Sequence, residues 1–267
     1  MSAPAPDFAT LNAWADRLID TARRAGAAIM AVRAVGFAVG RKADASPVTE
    51  ADAAAERIVL ADLEALRPAY PVVAEERAAA QGLPDFAGED FWLVDALDGT
   101  REFVGNGGEF TVNIAFVCGG LPVLGVVHAP ALDVLYVGVV DEAHGRHRAE
   151  AWRAGGRSVI RCRPRPAKVT VAGSKTHEIS ENMRAFLARH EVEQRLRISS
   201  SLKFGLVAEG KVDLYPRFSP TSEWDTAAGH ALVRAAGGRV HDQAGRELRY
   251  KKPGFVNGRF LAEGLPP

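Results

Sequence analysis

Apolar residues recur at helical spacing in two stretches near the N-terminus. Over residues 8–33 they follow the i, i+3, i+4, i+7 pattern of a helix that turns one face towards a core. The stripe consists of Leu11, Trp14, Leu18, Ile19, Ala22, Ala25 and Ile29. A second helix is predicted from about Thr49 to Leu66, because Pro68 cannot continue it.

Strand-like patterns begin at residue 71. The β-branched run 71–76 is predicted to be a short strand, and residues 77–90, rich in alanine, glycine and acidic residues, are predicted to be a loop. Between 91 and 140 one strand follows another, and Gly119 and Gly120 suit a tight hairpin. Consecutive strands on short turns imply an antiparallel sheet with helices on one side, which is an α+β arrangement.

Beyond about residue 160, strands and helices alternate. Strands are predicted at AKVTVAGS, RLRISSS, VDLYPRF and RVHDQAG, and helices at 179–190, 202–210 and DTAAGHALVRAAGG. This alternation indicates an α/β half. The Arg/Pro-rich stretch 161–168 is the best candidate for a boundary. The chain is therefore predicted to comprise an N-terminal α+β half, residues 1–162, and a C-terminal α/β half, residues 163–267.

The composition gives the chain no global attraction to polyanions. Its 267 residues are 47% hydrophobic and 25% charged, and 33 basic side chains balance 33 acidic ones. Neither nucleic acid nor an anionic membrane is therefore an expected partner, whereas a small-molecule substrate is. The start lacks a secretory pattern, no apolar run is long enough to span a bilayer, and two distant cysteines need no disulfide. We expect a cytoplasmic monomer or homodimer, with a peripheral position at the inner membrane as an alternative.

Acidic residues stand near the ends of predicted elements in four separate strings. The strings are SPVTEAD (46–52), VVAEE (72–76), VDALDGT (94–100) and SEWDTAAG (222–229). Asp95 and Asp98 follow an apolar strand, and two carboxylates roughly 6 Å apart repel by about 3 kcal/mol at an effective dielectric of about 20. Each other acid also has a structural alternative: Asp52 in a capping box, Asp225 as a helix N-cap and Glu75 as a solvated loop residue.

A shared cation would explain why such acids are tolerated close together. Strand ends that point the same way bring their side chains together, and the repulsion between the acids then grows. Oxygen ligands without nearby cysteine or histidine select a hard ion such as Mg²⁺ rather than zinc. Gly99 lets the backbone approach a ligand closely, and the DGT segment offers backbone N–H groups to a phosphate. A metal beside a phosphate-binding turn indicates phosphoryl chemistry.

These strings, in this order, resemble motifs of the Mg²⁺-dependent, lithium-sensitive phosphatases of the inositol monophosphatase superfamily. Longer stretches resemble its 3'(2'),5'-bisphosphate nucleotidase (CysQ) branch: GEFTVNIAFV, PVLGVVHAP, SSLKFGLVAEGKVDLYPRF and SPTSEWDTAAGHALVRAAGG. The resemblance runs from about residue 40 to the C-terminus. It implies a layered αβαβα sandwich that removes the 3'-phosphate of 3'-phosphoadenosine 5'-phosphate, giving AMP and phosphate, in sulfate assimilation. Ala96 stands where the family usually has proline, which implies a looser turn with metal binding retained.

The resemblance also implies a role for each acid. Metal ligands are implied at Glu75, Asp95, the Leu97 carbonyl, Asp98 and Asp225. Asp95 would bridge two Mg²⁺ ions, and a third, weaker ion near Glu75 is a further option. The implied catalytic set is Glu75 together with Thr100 and Asp52, which would form a hydrogen-bonded pair that orients and deprotonates the attacking water. Asp52 can cap its helix at the same time.

Contacts with the substrate are implied in both halves. Those contacts are Gly99, Thr100, His177, Ser200, Lys203 and Arg217. The family's Ser-Arg-Ser-His-like motif matches SKTH at 174–177, where Lys175 replaces arginine and Thr176 replaces serine.

Two other functional interpretations stay open. The protein would otherwise be a phosphatase of inositol monophosphate or another sugar or polyol phosphate, or a nucleotide-binding regulator without catalysis. GLVAEGKV, at 205–212, nearly matches a phosphate-binding P-loop, but Val212 replaces the metal-binding hydroxyl and strand-like residues follow. The basic run 161–168 lacks interleaved aromatic residues and is interpreted as a linker.

Overall fold

The computed structural model describes residues 5–41, 47–175 and 179–266. The helices in this part of the chain are α1 (Phe8–Val35), α2 (Glu50–Ala65), α3 (Glu75–Gln81), α4 (Thr100–Val104), α5 (Glu181–Leu187), α6 (Leu202–Ala208) and α7 (Ala227–Ala235). The N-terminal strands are β1 (Gly40–Arg41), β2 (Pro47–Val48), β3 (Val72–Ala74), β4 (Phe91–Asp98), β5 (Thr111–Cys118), β6 (Leu121–Ala129), β7 (Val134–Asp141), β8 (Arg146–Arg153) and β9 (Gly156–Val159). The later strands are β10 (Lys168–Gly173), β11 (Glu191–Arg197), β12 (Leu214–Arg217), β13 (Thr221–Ser222), β14 (Arg239–Asp242), β15 (Val256–Asn257) and β16 (Phe260–Glu263).

The larger sheet has seven strands in the order β3-β4-β5-β6-β7-β8-β9. β3 pairs in parallel with β4, and the other neighbouring pairs are antiparallel, as predicted for residues 91–140. Neither β8 nor β9 was predicted. β8 alternates charged residues with small ones and β9 is exposed along its length, so neither has the apolar run that marks a strand.

Helices cover both faces of this sheet: α1 and α2 of the N-terminal half lie on one side, as predicted, and a helix of the C-terminal half lies on the other. α1 and α2, which the apolar periodicity predicted, share one core with the strands, where the Trp14 and Trp92 rings lie 5.5 Å apart. α7 packs on the opposite face. It lies so close that a Cβ added at Gly138 would come within 2.5 Å of the Leu232 Cα. The apolar periodicity of a segment does not show which residues far away in the sequence pack against it.

The second sheet is mixed and has five strands in the order β11-β10-β12-β16-β14. β10 is parallel to β11 and β12, whereas β16 is antiparallel to β12 and β14. α6 and α7 lie between the two sheets, and α5 packs on the outer face through Phe186 and Leu187. The implied layered αβαβα sandwich is thereby confirmed, while the division at residues 162 and 163 stays a prediction. Within the described residues, no helix combines the length and apolarity that a membrane span requires.

Two local departures from prediction shape the functional site. Residues 77–90 were predicted to be a loop, but α3 continues from Glu75 through an alanine-rich turn to Gln81, and Gly82 at φ 86° ends it. None of its residues is buried, so it has no apolar stripe to reveal it. β4 extends beyond its four apolar residues to Asp98, which places Asp95 inside a buried strand.

Candidate active site

The predicted acidic residues meet at one cavity of about 560 Å³. Its walls include Glu75, Asp95, Leu97, Asp98, Gly99, Thr100, Arg217 and Asp225. A smaller cavity of about 120 Å³ shares Asp98, Arg217 and Asp225 with it and adds Ser200 and Lys203. Every predicted metal ligand and most predicted substrate contacts therefore lie around connected space.

Three carboxylates form the centre of this site. One oxygen from each of Glu75, Asp95 and Asp225 lies within 4.8 Å of the other two. Glu75 begins α3, Asp95 lies in β4 and Asp225 precedes α7, so three distant segments supply them. Asp98 lies outside this group but lines the same cavity. Because all these donors are oxygens, the set fits a hard divalent cation.

Burial and mutual repulsion raise the pKa of these acids. The pKa of Asp95 lies well above its usual value, first because burial penalises the charge and then because Glu75, Asp98 and Asp225 face it. Burial, followed by the charges of Asp98 and Glu75, also raises the pKa of Asp225 well above normal. Burial raises the pKa of Asp98 as well, although the Lys203 ammonium opposes that shift. A cation among the acids would offset both penalties, so the residues present fit a metal site.

Backbone groups orient two of the acids. Asp95 Oδ1 accepts a hydrogen bond from the Leu97 N–H at 3.0 Å, and Asp225 Oδ2 accepts one from the Ser222 N–H at 3.0 Å. The N-cap of α7 is Thr226, so Asp225 does not take the capping role that its sequence position also allowed. Pairing of β4 with β5 is interrupted between Asp95 and Asp98. The residues between them stand outside the regular ladder, and the Leu97 carbonyl oxygen there lies 3.2 Å from Thr100 Oγ1.

Asp52 both caps α2 and contacts Thr100, as predicted. Its Oδ2 accepts hydrogen bonds from the Thr49 N–H at 2.7 Å and the Thr49 hydroxyl at 2.8 Å, which completes a capping box. Its Oδ1 lies 3.2 Å from Thr100 Oγ1, and that hydroxyl is also 3.2 Å from the Leu97 carbonyl oxygen. A hydroxyl has one hydrogen to donate and two lone pairs. Thr100 can therefore donate to Asp52 and accept a hydrogen bond from a water in the cavity.

The Lys203 side chain is hydrogen-bonded to the backbone of Ser200. Lys203 is 3% exposed, and its ammonium donates to the carbonyls of Ile198 at 3.1 Å and Ser200 at 2.6 Å. Burial lowers the pKa of Lys203 to about 8. Ser200 has a φ of 53°, and its buried hydroxyl oxygen has no hydrogen-bond partner among the described residues. Two of the three lysine N–H groups are thus used inside the protein, and among the described residues the third has no acceptor oxygen, although Nζ lies 5.1 Å from the centroid of the Tyr215 ring.

The remaining predicted contacts are Gly99, Arg217 and His177. Gly99 has a φ of 93°, and a Cβ there would lie 3.1 Å from the Glu109 carbonyl oxygen, so this turn requires glycine. Arg217 lines both cavities and donates from Nε to the Ser219 carbonyl at 3.3 Å. His177 lies outside the described residues.

Sequence reasoning missed three buried polar residues that support the site: Glu56, Asn113 and Ser201. The Glu56 carboxylate accepts from the N–H groups of Glu76 at 2.8 Å and Arg77 at 2.9 Å, which holds the first turn of α3 against α2. Two features of the sequence point to the roles of Glu56 and Asn113. Glu56 stands four residues after Asp52 on one helix face, and Asn113 is the lone amide in the apolar strand TVNIAFV.

A family model described as the inositol monophosphatase family matches residues 11–265. The chain belongs to the inositol monophosphatase family. Members of this family are metal-dependent phosphatases, and the acidic cluster supplies the ligands that such chemistry needs.

Curated relatives and solved structures of the inositol monophosphatase family cover almost the whole chain. The 3'(2'),5'-bisphosphate nucleotidase CysQ of Salmonella typhimurium is 45% identical over 251 residues, which are 92% of this chain and 97% of that protein. Its counterpart in Buchnera aphidicola is 37% identical over 262 residues, 95% of this chain and 96% of that protein. The structure of CysQ from Bacteroides thetaiotaomicron has a TM-score of 0.76 at 34% identity, covering 94% and 97% of the two chains. An inositol monophosphatase from Anabaena has a TM-score of 0.74 at 26% identity, covering 96% and 92%. The resemblance stated from the motifs is confirmed.

Proposed function

We propose that the protein is an Mg²⁺-dependent phosphatase that converts 3'-phosphoadenosine 5'-phosphate into AMP and phosphate. The observation that carries this proposal is the group of Glu75, Asp95 and Asp225, whose oxygens lie within 4.8 Å of one another beside the basic residues Lys203 and Arg217. The group suits divalent cations, and the basic residues suit a substrate with two phosphates. Relatives 45% and 37% identical are named as 3'(2'),5'-bisphosphate nucleotidases.

Two overlapping sets of residues would hold the cations. Glu75, Asp95 and the Leu97 carbonyl would form the first set, and Asp95, Asp98 and Asp225 the second, with a third, weaker ion near Glu75. When bound, the divalent cations would lower the pKa of a coordinated water and stabilise the charge on the attacking and leaving oxygens. Asp95, central in β4 and almost fully buried, would then belong to both sets.

Thr100 and Asp52 would supply the proton acceptor. The attacking water would donate to Thr100 Oγ1 while that hydroxyl donates to Asp52 Oδ1, a contact of 3.2 Å. Both Thr49 hydrogen bonds hold the other Asp52 oxygen, so the acceptor keeps its direction during the reaction. General-base assistance of this kind typically contributes about 10²–10⁴-fold to a rate.

The nucleotide would be held beside the metal site by Ser200, Lys203 and Arg217. The unpartnered Ser200 hydroxyl and the remaining Lys203 N–H are donors at the smaller cavity, and Arg217 reaches both cavities. Gly99 and Thr100 would contact the departing phosphate. A role for His177 stays a prediction from the resemblance. The two free cysteines agree with a reducing compartment, and we assign the reaction to the cytoplasm.

A phosphatase of inositol monophosphate or another polyol phosphate is the second candidate. The fold similarity to the Anabaena inositol monophosphatase, with a TM-score of 0.74, favours it. A regulator without catalysis is disfavoured, because the acids and the Thr100–Asp52 contact are all in place.

Phosphate release from the two substrates tests the proposal. We expect kcat/KM for 3'-phosphoadenosine 5'-phosphate to exceed that for inositol monophosphate by more than tenfold in Mg²⁺, and both activities to vanish in EDTA. Faster turnover of the inositol ester would favour the second candidate. Release of phosphate from neither ester would contradict both.

A further inference from the structure

The Ser201 hydroxyl lies where three elements of the site converge. Ser201 is the residue before α6 and is 2% exposed. Around it are the end of β4, the middle of β5 and the turn before α7, which carry Asp98, Asn113 and Asp225. Asp98 and Asn113 precede Ser201 by 103 and 88 residues and Asp225 follows it by 24, yet one oxygen atom contacts all three.

Three polar groups lie within hydrogen-bonding distance of this oxygen. Ser201 Oγ lies 2.7 Å from the Asp225 carbonyl oxygen, 3.2 Å from Asp98 Oδ2 and 3.1 Å from Asn113 Nδ2. The amide of Asn113 donates to a lone pair of the hydroxyl, because a hydroxyl has a single hydrogen of its own. That hydrogen is then directed to Asp225 or Asp98. Because Asn113 is the donor in its contact, the single Ser201 hydrogen is left to these two acceptors, of which the Asp225 carbonyl oxygen is the nearer.

Asn113 is itself fixed in the strand that faces the metal site. It is 1% exposed, and in the β4–β5 pairing it stands opposite Asp95. Its Oδ1 has no hydrogen-bond partner among the described residues, so Ser201 is the partner that the structure gives to this buried amide. Burying an amide in an apolar strand for a single hydrogen bond is unfavourable for stability, which indicates a role at the site.

From these contacts we infer that Ser201 and Asn113 are a pair of positioning residues for Asp98 and Asp225, the two members of the second cation set that the first set does not share. The inference rests on the proposed function, since it assumes that these acids bind a cation. The Ser201 hydroxyl keeps the Asp98 carboxylate and the Asp225 backbone carbonyl next to one shared hydrogen, so that the two acids need little rearrangement when a cation binds. Loss of such an outer hydrogen bond typically weakens metal binding by about 10–100-fold.

Titration with Mn²⁺, followed by the electron paramagnetic resonance of the free ion, tests the inference on the full-length protein without substrate. In Ser201→Ala we expect one class of sites to weaken by about 10–100-fold, while the class that includes Glu75 keeps its affinity. Asn113→Ala should weaken the same class, and the double variant should bind no worse than Ser201→Ala alone, because both changes interrupt one chain of contacts. Ser158→Ala, on the exposed strand β9, is the matched control and should bind as the wild type does.

The outcomes separate this inference from the proposed function. A Ser201→Ala variant that unfolds at a lower temperature but binds Mn²⁺ as tightly as the wild type would show a purely structural residue and overturn the inference. Should Ser201→Ala fail to fold, Asn113→Ala decides alone, and unchanged affinity there overturns the inference equally. A wild-type protein that binds no Mn²⁺ would instead contradict the proposed function.

Discussion

Replacing Asp95 with asparagine should stabilise the metal-free protein and remove its activity. Asp95 is 3% exposed, and its carboxylate lies within 4.8 Å of oxygens from Glu75 and Asp225. Asparagine has the same shape and keeps the Oδ1 atom that accepts a hydrogen bond from the Leu97 N–H. The substitution therefore removes one buried charge while the local backbone contact survives.

The size of the effect follows from the repulsion between the acids. Two unit charges at the 4.8 Å of this group repel by about 3 kcal/mol at an effective dielectric of about 20. Protonation of Asp95 limits that penalty, because its pKa is raised. We therefore expect the free energy of unfolding in EDTA to rise by about 1–3 kcal/mol at pH 8, which corresponds to a melting temperature higher by about 2–10 °C.

The gain in stability from Asp95→Asn should increase with pH. The pKa of Asp95 is higher in the folded than in the unfolded protein, so the folded state retains the proton to higher pH. The metal-free wild type then loses stability as pH rises from about 4, the unfolded value, through the folded pKa. The advantage of Asp95→Asn should grow over that window, and it should be small at the acidic end.

Calorimetric unfolding at pH 5 and pH 8, in EDTA and then in Mg²⁺, measures these effects. Mg²⁺ should raise the melting temperature of the wild type and leave that of Asp95→Asn nearly unchanged, because the variant has lost the central ligand. Asp85→Asn, at an exposed loop position, is the control and should behave as the wild type does. An Asp95→Asn protein that is less stable than the wild type in EDTA, or that turns over substrate normally, would refute the reasoning.

Three further predictions concern catalysis. Thr100→Ala should lower kcat by about 100-fold or more, while its Mg²⁺ affinity, measured by calorimetry, stays unchanged. Thr100→Ser keeps the hydroxyl and should retain most of the activity. Equal rates for the wild type and the alanine variant would exclude the proposed proton path. Burial lowers the pKa of Lys203 to about 8, so most of its charge is lost by pH 9. KM for the bisphosphate should therefore rise between pH 7 and pH 9. A similar rise in Lys203→Met would show that another group causes the pH dependence. Ala96→Pro should change kcat by less than about twofold, because Ala96 has no partner residue in the pairing of β4 with β3 or β5. A tenfold loss of kcat would show that this turn is more constrained.

The parts of the fold that the sequence predicted are those with a strong apolar pattern. α1 and α2 have buried faces that repeat at helical spacing, and the strands from β4 to β7 are nearly continuous buried runs. α3 has no buried residue, and β9 is exposed throughout, so the same reasoning could not detect them. The packing of α7 against the larger sheet depends on close contacts at Gly125 and Gly138, and only tertiary structure reveals which helix those glycines admit.

The sequence likewise predicts some residues of the site and not others. Glu75, Asp95, Asp98 and Asp225 could be predicted because each stands in a recognisable string near the end of an element. The groups that hold them could not, since Ser201 and Asn113 are 88 residues apart and look like ordinary polar residues in sequence. Lys203 was predicted to contact substrate, but its ammonium donates two hydrogen bonds to the backbone carbonyls of Ile198 and Ser200. The sequence does not show which acceptor oxygens a lysine ammonium reaches in the fold.

Anomalous diffraction from crystals soaked in Mn²⁺ tests the central claim most directly, because it locates cations without relying on activity. We predict anomalous peaks in contact with Glu75 and Asp95, and with Asp98 and Asp225, and the loss of both peaks in Asp95→Asn. Well-diffracting crystals of the wild type with no peak among these four acids, or with Mn²⁺ bound only elsewhere, would contradict the assignment of a metal-dependent phosphatase site.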